Sequence, residues 1–123
     1  MELLDEVFSL FSTERRRFAL YYLKGAESPV SIDELAEKIY EWEENGSCDT
    51  IPDDELQKVI LSLEHSHLPK LEDATHVEYD RTNEQVRISG LSAEADVILS
   101  VSEALEQPSQ TNDFVVSQLG KSP

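Results

Sequence analysis

Basic residues are scarce in this chain: 10 Lys and Arg stand against 26 Asp and Glu, for a formal net charge of −16. The shortage excludes the broad cationic surface by which proteins in ordinary salt hold nucleic acid non-specifically. Cysteine occurs once, at Cys48, so neither an intrachain disulfide nor a cysteine-based zinc or redox pair can form. No apolar run approaches the ~20 residues of a membrane span. The opening segment carries Glu2, Asp5 and Glu6 in place of the basic start of a signal peptide. A phosphate-cradling glycine loop and a nucleophile elbow are also missing. His65 and His67 are two apart and point to different faces of a helix, the wrong spacing for a two-histidine metal site. The expectation is a cytoplasmic protein with no membrane partner, no cofactor and no enzymatic activity.

What is present is regular apolar periodicity along most of 123 residues, which argues for one folded domain and against disorder. Leu3, Leu4, Val7, Phe8 and Phe11 predict a short amphipathic helix. Ser12 and Thr13 offer caps to a second helix, residues 14–24, which is apolar on most sides and followed by Gly25 as a C-cap. Arg15, Arg16 and Arg17 project over most of that helix's circumference and are expected to pair with nearby carboxylates, the other reading giving one or two of them to phosphates. Ser31 and Glu34 form a capping box before Ile32, Leu35, Ala36 and Ile39, and Pro29-Val30 can supply a short strand. Asn45-Gly46 ends this third helix.

Pro52 followed by Asp53, Asp54 and Glu55 suits a helix start, because the acids face the positive end of the dipole. Leu56, Val59, Ile60 and Leu63 then repeat at helical steps. Pro69 is expected to break or kink this helix near His67. The apolar period changes to two at Val77 and Tyr79, which pair in pattern with Val86 and Ile88 around a turn at Arg81-Thr82-Asn83-Glu84. His76 alternates outward from Val77 and is expected to face solvent. Ser92 caps a terminal helix that Pro108 stops, with Val97, Ile98, Val101, Ala104 and Leu105 as its apolar face. Residues 1–107 are read as the domain and 108–123 as a flexible or weakly docked tail carrying Phe114, Val115, Val116 and Leu119.

The passage Leu63-x-His65-x-x-Leu68-Pro69-Lys70-Leu71-x-x-Ala74-x-x-Val77-Glu78-Tyr79-Asp80 resembles the recognition-helix-to-wing segment of winged helix-turn-helix domains, most closely acidic haloarchaeal ones. The likeness extends to Arg15-Arg16-Arg17-x-x-Leu20-Tyr21-Tyr22-Leu23 and Ile32-Asp33-Glu34-Leu35-Ala36, and so spans roughly residues 3–90. It implies a mainly α fold with a small β-hairpin (α+β), a winged helix-turn-helix with extra N- and C-terminal helices. Many such domains carry Gly where this chain has Thr75, so the corner after the helix is expected to be made differently.

The resemblance implies a sequence-specific DNA-binding regulator acting as a homodimer. Acidity then reflects a high-salt cytoplasm, since at about 1 M salt the Debye length is only about 3 Å and self-repulsion is screened. Gln57, Lys58, Ser62 and His65 on the helix are the candidates for base or phosphate contact, with Lys70, Arg81 and Arg87 beside them. Val97, Ile98, Val101 and Leu105 are the candidates for dimerisation. The alternative is an adaptor whose acidic surface, with Leu61 and the terminal helix, meets a protein partner instead of DNA.

Overall fold

Helix α2 (Glu14–Gly25) forms the axis of the molecule, burying Phe18, Ala19, Leu20, Tyr21 and Leu23. The computed structural model describes residues 2–46 and 50–108; Cys48 and the apolar cluster from Phe114 to Leu119 lie outside the described residues. Around α2 are α1 (Glu2–Leu10), β1 (Val30–Ser31), α3 (Ile32–Glu43), α4 (Asp53–Ser62), α5 (Leu68–Asp73), β2 (Val77–Asp80), β3 (Gln85–Ile88) and α6 (Ala93–Glu106). The fold is mainly helical with one small three-stranded antiparallel sheet in the order β1–β3–β2, an α+β arrangement.

Local chemistry accounts for most boundaries. The Ser31 Oγ accepts the Glu34 N–H at 3.0 Å and starts α3, while Asn45 and Gly46 end it with φ of 58° and 71°. In the sheet Val30 pairs with Val86, Val77 with Ile88 and Tyr79 with Val86, so the alternating apolar positions meet on one face against the helices. The Ser92 Oγ accepts the Ala95 N–H at 3.1 Å, and α6 then docks through Ala95 and Leu99, both fully buried. No helix among the described residues is long and apolar enough to cross a membrane.

Several local expectations are corrected. The distortion expected near His67 takes the form of a π-helical turn, Leu63–His67, and not of a break: α4 runs through it directly into α5. In that turn the Leu68 N–H bonds to the Leu63 carbonyl, five residues back, and the wider ring relieves the clash between Pro69 and the carbonyl of His65. Pro69 thereby falls in the first turn of α5, where a missing N–H is tolerated. At the corner that follows, Thr75 itself takes the left-handed conformation, φ 61°. The penalty of about 1 kcal/mol is offset by hydrogen bonds that close the helix end, Thr75 N–H to Glu72 O at 2.8 Å and His76 N–H to Leu71 O at 2.9 Å. His76 is buried, not exposed, with its ring 6.2 Å from that of Phe11. Thr13 occupies the N-cap position of α2 without a side-chain cap bond, and Gly25 is the helix's last residue, followed by Ala26 at an ordinary φ of −87°.

The three consecutive arginines of α2 reach three different neighbours. Arg15 grips Glu43 at the end of α3 through two 2.8 Å bonds and donates to the Ser62 Oγ of α4 at 2.9 Å. Arg16, only 6% exposed, donates to the Leu10 and Ser9 carbonyls at 2.6 and 3.2 Å and lies 3.2 Å from the His67 Nδ1. Those carbonyls lie at the C-terminus of α1, where a cation is favoured by the helix dipole; the Ser9 carbonyl also accepts the Ser12 N–H and hydroxyl. Arg17 holds Glu106 of α6 through two 2.8 Å bonds and the Phe11 carbonyl at 2.6 Å.

Candidate nucleic-acid interface

Helix α4 buries Val59 and Ile60, with Leu56 partly covered, and the π-helical turn buries Leu63. The opposite face is therefore held outward, and it presents Gln57, Lys58, Leu61 and His65, all exposed. Beyond the acidic first turn of Asp53, Asp54 and Glu55, these exposed positions carry no carboxylate. The neighbouring Glu64 is partly buried and accepts the Tyr79 hydroxyl at 2.7 Å. Burial, then that bond, push the Tyr79 hydroxyl up to about 12.

The sequence-derived candidates separate by surroundings. Gln57 and His65 are exposed, and Lys58 is exposed with the Glu55 carboxylate 3.8 Å away. Ser62 belongs to the fold: its hydroxyl accepts from Arg15 and donates to the Val59 carbonyl at 3.0 Å. Lys70 is exposed on α5 and forms no ion pair among the described residues. Arg81, at the hairpin tip, is held against α5 by Glu72 at 2.8 and 3.4 Å and lies 5.0 Å over the Tyr79 ring. Arg81 keeps the Glu72 carboxyl below its ordinary range, helped by the Tyr79 N–H. Arg87 pairs across the strands with Glu78.

Gln57, Lys58 and His65 thus share one helix face with Leu61; Arg81 is held by Glu72 against α5, whereas Arg87 on β3 lines a separate hollow with Leu23, Lys24 and Pro29 near the end of α2, so the structure does not bring it to that face. Glu72 and Tyr79 position Arg81, a role the sequence does not show for either; Tyr79 is read there only as a strand residue. No local pattern joins Glu72 to a residue nine positions on across a helix and a corner. Among the described residues no group of three or more His, Cys, Asp or Glu is placed to hold a metal ion.

A mainly helical body with a three-stranded edge sheet and an outward polar helix face makes a small α+β domain. The chain belongs to a family described as a domain of unknown function, DUF7344, which it matches over residues 8–87. The match runs from within α1 to within β3 and leaves α6 beyond it. No curated protein and no solved structure matches the chain.

Proposed function

We propose that this is a winged helix-turn-helix protein that binds DNA sequence-selectively as a homodimeric regulator in a high-salt, haloarchaeal cytoplasm. The order α2–β1–α3–α4–β2–β3, with β1 on the outer edge of β3, supports that reading, with α4 and α5 as the recognition element and the hairpin tip as the wing. The observation that carries it is the carboxylate-free strip Gln57, Lys58, Leu61 and His65 on a surface otherwise dominated by acids. Gln57 and His65 supply hydrogen-bonding groups for base edges, Lys58 reaches a guanine or a phosphate, and Leu61 matches the methyl of a thymine. Residues 1–107 make the domain, and α6 carries the dimer contact through Val97, Val101 and Leu105, with Ile98 beside them. Lys70, Arg81 and Arg87 contribute backbone contacts only where a phosphate displaces or joins their present partners.

A second reading, an adaptor that binds protein and not DNA, is favoured by one observation: both hairpin arginines already have carboxylate partners. Binding to genomic fragments at about 2 M KCl, where screening is nearly complete, separates the two. Selective binding that drops about tenfold on Lys58→Ala, Leu61→Ala or His65→Ala is the expected result. A folded dimer without selective binding at any salt concentration leaves the adaptor.

A further inference from the structure

Among the described residues five large apolar side chains are conspicuously exposed, and four of them, Phe8, Val97, Val101 and Leu105, lie on α1 and α6. They form one surface. Leu4 and Val97 line an open hollow of about 320 Å³ at one end of α6, Phe8 and Leu105 line another of about 410 Å³ at the other end, and Ile98 lines both. Val101 stands between them, one helical turn from Val97 and one from Leu105.

We infer that this surface is where two copies of the chain meet, with α6 packed antiparallel on its twin and Val101 on the two-fold axis. This deepens the proposed regulator by specifying how its dimer is built. Three features select a second copy as the occupant. The first is self-complementarity: a two-fold axis at Val101 sets Val97 against the partner's Leu105 and brings the Phe8 end over the partner's Leu4–Val97 hollow, as an isologous contact requires. The second is charge. A chain of −16 meeting its twin needs few facing carboxylates, and Phe8, Val97, Val101, Ala104 and Leu105 form a strip that has none, with Glu94 and Glu106 confined to the hollows at its two ends.

The third is area. The four side chains are 51, 59, 54 and 81% exposed, which leaves on the order of 400 Å² of apolar surface on each copy. Twice that is about the apolar half of a standard interface of ~1,600 Å². At molar salt the like charge remaining at the rim is screened and the apolar contact survives.

Sedimentation equilibrium of the full chain at about 2 M KCl tests the inference. The expected species has twice the chain mass of 13.9 kDa, and Val101→Glu, which puts two like charges face to face, weakens association by at least ~30-fold with far-UV circular dichroism unchanged. In a Cys48→Ser background, Val101→Cys forms an intermolecular disulfide on oxidation and Ser100→Cys does not, because only the axial position brings two β-carbons within bonding range. A dimer indifferent to Val101→Glu overturns the inference. So does a chain monomeric throughout, or one that dimerises only after Phe114→Asp and Leu119→Asp, which would make its own tail the occupant. Failure of DNA binding with the dimer intact refutes the regulator and leaves this interface standing.

Discussion

Arg15, Arg16 and Arg17 on α2 and Arg81 and Arg87 in the hairpin are the same side chain in two surroundings. Each of the five is hydrogen-bonded, and four of them face a carboxylate. On α2 the guanidinium groups are largely covered and each joins separate elements: α3 with α4, the end of α1 with the π-helical turn, and α6 with the loop after α1. In the hairpin the pairs are open to solvent, with the Arg81 and Arg87 side chains 60 and 52% exposed. Water and salt compete for an exposed pair and leave it little net stabilising effect, whereas a covered pair that loses one partner strands the other. The first set therefore holds the fold, and the second remains exchangeable for a ligand.

The largest effect expected from breaking this division is at Arg16. Arg16→Met keeps the aliphatic bulk but removes the guanidinium donors to the Leu10 and Ser9 carbonyls, of which only the Ser9 carbonyl keeps other donors, from Ser12. It should lower unfolding free energy by about 3 kcal/mol, read by denaturant unfolding at high salt. Next is Glu106→Gln, which leaves Arg17 without its charge partner and loosens α6, at about 1–2 kcal/mol. Arg17, followed by the Tyr21 hydroxyl, holds the Glu106 carboxyl below its ordinary range. The stability it supplies is thus present above the unfolded carboxyl's pKa and lost as pH falls through the folded value. Stability of the Gln variant should lose that part of its acid dependence.

A different pH window reports on Arg16. Burial, then the positive charges of Arg16 and Arg15, push His67 down to about 4 from 6.5. The Arg16 guanidinium needs a neutral imidazole to accept its N–H, so the folded state resists protonation while the unfolded chain does not. Stability should be fully present above pH 6.5 and fall as the pH drops from 6.5 toward 4. His67→Gln should reduce that slope. It should not abolish it, since buried His76 is lowered in the same direction.

What could be read in the sequence was what depends on near neighbours. The Ser31 cap, the short strand at Val30, the pairing of Val77 and Tyr79 with Ile88 and Val86, and the two core helices all follow from spacing and turn chemistry. The expected pairing of the α2 arginines with carboxylates holds for Arg15 and Arg17, whose carboxylates 28 and 89 residues away were not legible, and fails for Arg16, which bonds backbone carbonyls instead. Ser62 looked like a readout residue because its role depends on Arg15 of another helix. His76 was misplaced because strand alternation was extended one residue past the strand, into a corner that Thr75 makes with a positive φ. On α6 two apolar stripes compete, Ala95–Leu99 and Val97–Val101–Leu105. Periodicity alone could not say that the smaller one faces the core.

The mildest stability effect should come from the hairpin, and it sharpens the comparison most. Arg81→Ala removes a two-bond contact to a carboxylate, as Arg17→Ala would, though with one bond at 3.4 Å, yet its unfolding midpoint should match the parent's, because nothing buried is stranded: Glu72 still accepts the Tyr79 N–H and faces water. If the proposed DNA contact is correct, the same substitution should weaken selective binding at about 2 M KCl several-fold. Glu72→Gln, which frees the guanidinium for a phosphate, should strengthen it. An Arg81→Ala variant as unstable as Glu106→Gln would show that the hairpin pair is structural after all and that exposure does not divide the two sets. Unchanged stability with unchanged DNA binding would confine recognition to Gln57, Lys58, Leu61 and His65, and would leave the hairpin arginines as surface ion pairs.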